Sequence, residues 1–273
     1  MNSLPKNYLI AIQAAIDASF VVMQFYNTSF TSENKSDGSP VTEADKSSSD
    51  LINSRLKETN IPIIGEEILN TDFSIRKNWT ENWCVDPLDG TKEFIKKNGE
   101  FVINIAHIVN GNPVFGIIVS PVQRKILIGG KESGVHIGLF DESGKITGWK
   151  EQQENSVINQ PLVLISSRSF HSPKTAEFVE QLRNKYGVIT YIEKGSALKF
   201  FDLAAGNADI YPRFAPTMEW DIAAGQAILE ALGGTIVNVQ TGQPLIYNKE
   251  ELYNPFFLAQ TKASIHYKLN AIV

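Results

Sequence analysis

Between Phe101 and Phe140 the chain repeats one pattern: apolar runs too short to cross a membrane, FVINIAHIV, VFGIIVS, KILIGG and VHIGLF, separated by turns. The first two runs flank Asn110-Gly111, a dipeptide that supplies the left-handed backbone of a two-residue hairpin loop. The chain is thereby committed to an antiparallel sheet, and whatever precedes and follows must cover it. Upstream, Tyr8 to Tyr26 is apolar enough to suggest a membrane span. Gln13, Asp17 and Gln24 nevertheless fall on one face at 100° per residue, which marks an amphipathic helix with a core-facing side. Few basic residues precede the run and no small-residue cleavage pattern follows it, so neither a signal sequence nor a transmembrane segment is expected.

The rest of the chain divides into recognisable pieces. A polar stretch from Asn27 to Pro40 leads to a helical pattern from Thr42 to Lys57. Short buried strands at Ile61 to Ile64 and Trp83 to Val85 end at Gly65 and Asp86, and each delivers acids at its carboxyl end. Asp141 to Gln160 is polar and reads as a bridge. Beyond it LVLISS, VITYIE, DIYPRF and TIVNV alternate with helical patterns that begin near Ser172, Ser196 and Asp221. Residues 1–150 thus read as an α+β half with an antiparallel sheet, and 151–273 as an α/β half. At 273 residues the two are one large domain or two intimate ones, long enough to bury a core without staples.

Composition excludes several classes of function. A net charge of -5 lacks the basic face that neutralises many phosphates, so no nucleic-acid partner is expected, while a local pocket for one small anion is still allowed. The lone Cys84 has no intrachain partner, which fits a reducing compartment and points to the cytoplasm. The sequence reads neither for nor against peripheral membrane association.

Three words carry chemistry: Gly65-Glu66-Glu67, Asp86-Pro87-Leu88-Asp89-Gly90-Thr91 and Trp220-Asp221-Ile222-Ala223-Ala224-Gly225. Singly, each has a plain structural explanation, since acids often cap helices and proline favours a first helical position. Jointly they raise another reading. Asp86 and Asp89 are three residues apart at what reads as a strand-to-helix turn, and two carboxylates brought to one spot repel unless a cation lies between them. Asp221 reads as the cap of a helix braced by Trp220 and closed by Gly233-Gly234. Carboxylate oxygens suit magnesium, and His107, His136, His171 and His266 lack the spacing that zinc ligands need.

GEE, DPLDGT and WDIAAG, in this order and spacing, resemble the inositol monophosphatase superfamily of lithium-sensitive phosphatases, and the likeness spans nearly the whole chain. Ser39-Pro40-Val41-Thr42-Glu43-Ala44-Asp45 is similar to that family's acid-bearing second helix, although Thr42-x-x-Asp45 is also a capping box in its own right. The longer words DPLDGTKEF, SSRSFHS, GSALKF and ADIYPRFAPTMEWDIAAG resemble the 3'(2'),5'-bisphosphate nucleotidases within it. The resemblance implies a layered α-β-α-β-α sugar-phosphatase fold and hydrolysis of adenosine 3',5'-bisphosphate in sulfur assimilation. Inositol phosphates, other sugar phosphates and a sulfated nucleotide are the rival substrates, and a non-catalytic module binding a phosphorylated metabolite is the rival class.

The resemblance also implies residue roles. One magnesium ion is held by Glu66, Asp86 and the carbonyl of Leu88, a second lies between Asp86, Asp89 and Asp221, and a weaker third lies near Glu66. Thr91 and Asp45 orient the attacking water, which gives Asp45, Thr91 and Glu66 catalytic roles. The amides of Gly90 and Thr91 receive phosphate oxygens at a helix start. The uncleaved phosphate needs a separate anion site, for which the amides that open the Gly195-Ser196-Ala197-Leu198-Lys199 helix, the Ser196 hydroxyl, the Lys199 ammonium and Arg213 are the candidates. Ser167, Arg168 and His171 are the candidates to border the nucleoside, the histidine by stacking. The superfamily contains monomers and dimers, so a homodimer is among the expected states.

Overall fold

The computed structural model describes residues 4–28, 32–34, 40–168, 172–267 and 269; Ser39 and His171, and most of the expected polar loop before Pro40, lie outside the described residues. The first part of the chain runs α1 (Lys6–Tyr26), β1 (Ser32–Asn34), β2 (Pro40–Thr42), α2 (Glu43–Leu56), β3 (Ile63–Gly65), α3 (Phe73–Arg76), β4 (Glu81–Asp89), α4 (Thr91–Ile95), β5 (Val102–Val109), β6 (Asn112–Ser120), β7 (Lys125–Gly130), β8 (Gly134–Phe140) and β9 (Ile146–Gln152). Strands β3 to β9 form one seven-stranded sheet in sequence order, antiparallel throughout except for the parallel β3–β4 pair. The second part runs β10 (Leu162–Ser167), α5 (Pro173–Tyr186), β11 (Ile189–Lys194), α6 (Lys199–Ala204), β12 (Ile210–Arg213), α7 (Glu219–Ala231), β13 (Thr235–Asn238) and β14 (Phe257–Gln260). Its five strands are ordered β11-β10-β12-β14-β13, parallel among the first three and antiparallel at β14.

Strand alternation sorts the large sheet's side chains into two cores. On one face Trp83, Val85, Ile103, Ile105, Ile117 and Val119 pack against α1 and α2, and on the other Cys84, Val102, Ala106, Ile118 and Leu127 pack against α6 and α7. The second core continues into Tyr211, Ile236, Phe257 and Ala259 of the smaller sheet, whose far face is covered by Phe178, Val179 and Leu182 of α5. The layers therefore run helix, sheet, helix, sheet, helix, with α7 sandwiched between the sheets. A Cβ at Gly116 of β6 would lie 2.1 Å from the carbonyl oxygen of Ala224, so α7 rests on the sheet backbone at a distance that only glycine allows.

Helix α1 has the length and apolar composition of a membrane span, yet in the fold it buries Ala11, Ile12, Ala15, Ile16, Ala18 and Val22 against α2 and the sheet. Gln13 and Gln24 are exposed, and Gln13 bonds to Asp17 at 2.7 Å, as the helical spacing predicts. Thr42 caps α2 as expected, its hydroxyl accepting from the Ala44 amide at 3.2 Å.

Three expectations require correction. The polar segment from Asp141 to Gln160 is not merely a bridge, because Ile146–Gln152 forms the edge strand β9 beside β8. An edge strand needs few apolar residues, and Trp149 supplies the contact by lying over Gly138. The DPLDGT word is not a simple strand-to-helix turn, since β4 continues to Asp89 and helix α4 starts only at Thr91. Asp221 is not the N-cap of α7 but stands in its first turn, with Met218 at the cap. Strand β14 escaped the sequence reading, although Phe256-Phe257-Leu258-Ala259 is apolar.

Candidate active site

The acids of DPLDGT converge because β4 carries a bulge. Asp86 pairs with Asn104 of β5 and Asp89 pairs with Val102, so three steps along β4 match two along β5. In a regular strand, residues three apart point to opposite faces, and the extra residue restores both aspartates to the α7 side while Leu88 turns to the α1 side. Asp221 arrives from the first turn of α7, and Asp86, Asp89 and Asp221 each place an oxygen within 4.8 Å of the others. Glu66 follows β3, its amide bonded to the Val85 carbonyl at 3.2 Å, and so stands beside the residue preceding Asp86.

Backbone and side-chain donors fix these carboxylates without neutralising them. Asp86 Oδ1 accepts from the Leu88 amide at 3.0 Å, and Asp221 Oδ2 accepts from the Met218 amide at 2.8 Å. Asp89 Oδ2 accepts from the Ala197 amide at 2.7 Å and from Asn104 Nδ2 at 3.1 Å. Burial, followed by the charges of Glu66, Asp89 and Asp221, pushes the Asp86 carboxyl well above its ordinary range. Burial and then Asp89 raise Asp221 to about 7, and burial also raises Asp89 against the opposing pull of Lys199. Acids in this state stay ionised together at neutral pH only if a cation joins them, so the donor set fits a hard divalent metal.

The water-orienting pair predicted from sequence meets in space. Thr91 Oγ1 donates to Asp45 Oδ1 at 2.9 Å, and Asp45 Oδ2 accepts from the amide and hydroxyl of Thr42 at 2.8 and 2.6 Å. Burial raises the Asp45 carboxyl despite these bonds. Ser48 ties α2 to the bulge by donating to the Pro87 carbonyl at 2.7 Å.

Glu66, Asp89, Gly90, Thr91, Ser167, Ser196, Lys199, Arg213 and Asp221 all line one cavity of about 480 Å³. Lys199 is buried; its ammonium donates to the Ser196 carbonyl at 2.5 Å and lies 5.0 Å from the centre of the Tyr211 ring. Burial, and after it the neighbouring Arg213, lower Lys199 to about 8.

The expected free amides of the Gly195–Lys199 segment are otherwise engaged. The Gly195 amide donates to Glu100 Oε2 at 2.8 Å, the Ala197 amide holds Asp89, and the Ser196 hydroxyl donates to the Glu100 carbonyl at 2.7 Å. The segment is also a 3₁₀ turn before the short helix α6, which does not make the helix start that was expected. Arg168 is paired with Glu100 through two 2.8 Å bonds, and His171 lies outside the described residues.

Asn104, Tyr211, Met218 and Tyr253 also belong to the site or its wall and were missed. Asn104 had a signal, a polar residue inside an apolar strand, whereas Tyr253 sits in no motif.

Residues 5–271 match the model of the inositol monophosphatase family. The chain belongs to that family. Its enzymes are metal-dependent, in keeping with the acidic cluster. The family member 3'(2'),5'-bisphosphate nucleotidase CysQ of Escherichia coli (strain K12) is 38% identical over 90% of this chain and 96% of its own length. The crystal structure of CysQ from Bacteroides thetaiotaomicron superposes with a TM-score of 0.84 at 37% identity, covering 94% of this chain and 97% of that one. The extragenic suppressor protein suhB of Bartonella henselae shares the fold, with a TM-score of 0.76 at 22% identity over 98% of both chains.

Proposed function

We propose that this chain is a magnesium-dependent phosphomonoesterase that hydrolyses adenosine 3',5'-bisphosphate to AMP and phosphate. The observation that carries the reading is that one cavity is lined both by acids of the convergent cluster and by the cations Lys199 and Arg213. A substrate with two phosphates needs two anion sites of different chemistry, one reactive and one that only binds. The similarity to the CysQ nucleotidases supports the same substrate class.

Glu66, Asp86, Asp89, Asp221 and the Leu88 carbonyl would hold two or three magnesium ions. Bound there, magnesium supplies the charge that neutralises the scissile phosphate and acidifies water. Thr91 directs its own proton to Asp45 and so turns its lone pairs outward to receive a proton from water, with Asp45 as the final acceptor. The amides of Gly90 and Thr91 bind phosphate oxygens where α4 begins. Lys199 and Arg213 hold the uncleaved phosphate by charge-assisted bonds, with Ser196 at the same wall. Ser167 borders the nucleoside. A reducing compartment, the cytoplasm, accords with the single buried thiol of Cys84.

Phosphate release from adenosine 3',5'-bisphosphate, inositol 1-phosphate and fructose 1,6-bisphosphate, each with magnesium, tests the proposal. A preference of at least tenfold in kcat/KM for the nucleotide is expected. Preference for the inositol ester would overturn the substrate, and tight binding without release from any of the three would overturn hydrolysis itself.

A further inference from the structure

Glu100 belongs to no chemical motif, yet four directed hydrogen bonds tie it to Arg168 and to the Gly195–Ser196 turn beside the cavity. Its carboxylate accepts from Arg168 Nε and Nη2 and from the Gly195 amide, all at 2.8 Å, and its carbonyl accepts from the Ser196 hydroxyl at 2.7 Å. Two glycines let this junction close. A Cβ at Gly195 would lie 2.8 Å from the Glu100 carbonyl oxygen, and a Cβ at Gly90 would lie 2.2 Å from Ser196 Oγ and 3.0 Å from that same carbonyl oxygen.

The turn so gripped is not a relaxed one. Ser196 has a φ of 51°, the left-handed region that an L side chain adopts only when its surroundings impose it. On either side of Ser196 the turn performs two tasks. The Ala197 amide fixes Asp89 Oδ2 at 2.7 Å, and the Ser196 carbonyl receives the Lys199 ammonium at 2.5 Å.

We infer that Glu100 is a positioning residue which, through the Gly195–Ala197 turn, sets both the metal ligand Asp89 and the anion-binding cation Lys199. This rests on the proposed roles of those two residues. Without the Glu100 carboxylate the Gly195 amide loses its acceptor and Arg168 keeps only its bond to the Glu193 carbonyl, the turn relaxes, and the Ala197 amide leaves Asp89. Groups that orient a metal ligand through one hydrogen bond are typically worth 10- to 100-fold in affinity.

The test uses the full chain with Mn²⁺ as probe, titrated calorimetrically without substrate, and kcat/KM for adenosine 3',5'-bisphosphate. Glu100→Ala is expected to raise the Mn²⁺ dissociation constant and to lower kcat/KM by about tenfold each. Arg124→Ala, which removes an exposed ion pair with Glu142, serves as the control and should leave both unchanged. A Glu100→Ala protein whose melting temperature falls while Mn²⁺ affinity and kcat/KM stay within twofold of native would overturn the inference. Should Glu100→Ala fail to fold, Glu100→Met decides, since it keeps most of the length and removes both carboxylate acceptors. A Mn²⁺ constant at least threefold weaker supports the role, and an unchanged one overturns it. Because Mn²⁺ binding is read without nucleotide, a native chain inactive on the bisphosphate sinks the substrate reading and leaves this result standing.

Discussion

Asn104 Nδ2 donates to Asp89 Oδ2 at 3.1 Å even though the residue opposite Asn104 in the sheet is Asp86. One amide thus serves a carboxylate three residues beyond its own partner, which is possible only because the bulge at Pro87-Leu88 folds both acids to one face. Like charges are stacked there by backbone geometry, and the fold bears the cost until a cation arrives.

Replacing Asp89 by asparagine should therefore act in opposite directions on function and on stability. The amide keeps an acceptor for the Ala197 and Asn104 donors but removes one of the mutually repelling charges. Turnover is expected to fall by at least about a thousandfold, as when a group acting in the transition state is lost. Without metal, the melting temperature at pH 8 is expected to rise by about 2 °C, the shift of somewhat under 1 kcal/mol in a chain of this size. Phosphate-release kinetics and melting in a chelator measure the two effects.

Stability without metal should also depend on pH with a definite sign. Asp221 has an ordinary pKa of 3.8 and is held at about 7 in the fold by burial and by Asp89, so the folded chain binds the extra proton between those values. Its destabilising contribution is absent below about pH 4, grows as pH rises, and is complete above about pH 7. If magnesium is the ion this site holds, as proposed, it binds the ionised form and should raise the melting temperature more at pH 8 than at pH 5. Thermal melts at both pH values, in chelator and in magnesium, give the comparison; an equal increment at both would contradict the assignment.

What was legible in the sequence follows from how local the cause was. Helix α1, the Thr42 cap of α2 and the hairpin at Asn110-Gly111 are written in neighbouring residues, and all three are in place. Singly, the acids of the three words read as ordinary caps, and it was their joint occurrence and their resemblance to the family that pointed to a metal. The bulge between Asp86 and Asp89 could not be read, since it is defined by a partner strand beginning at Val102. Nor could the engagement of the Gly195 and Ala197 amides, whose acceptors Glu100 and Asp89 lie about a hundred residues away. Local chemistry predicted free donors there, and tertiary structure had already supplied their partners.

Lys199 offers a test of the second anion site. Its ammonium is buried beside Arg213, and the pair would be relieved by a phosphate between them. Lys199→Met keeps most of the length and removes the charge. A charge-assisted hydrogen bond is worth about 1.5–3 kcal/mol, so KM for adenosine 3',5'-bisphosphate should rise between about tenfold and a hundredfold. A substrate with only the scissile phosphate should change by less than about threefold. Equal losses on both substrates would show that the lysine serves the fold and not the second phosphate.

The pair Thr91 and Asp45 separates proton handling from metal binding. Thr91 Oγ1 donates to Asp45 at 2.9 Å, while the other Asp45 oxygen is occupied by Thr42, so the carboxylate has one face left for catalysis. Neither residue is among the acids that converge on the metal position. Thr91→Ala and Asp45→Asn should each reduce kcat by about 10²- to 10⁴-fold, the usual worth of a positioned acid or base. Because the two act in one relay, the double variant should lose little more than the worse single variant. Calorimetric Mn²⁺ binding should stay within about threefold of native in all three. Additive losses in the double variant would mean that the proton leaves by another route, and a matching collapse of Mn²⁺ affinity would place Asp45 in the metal shell instead.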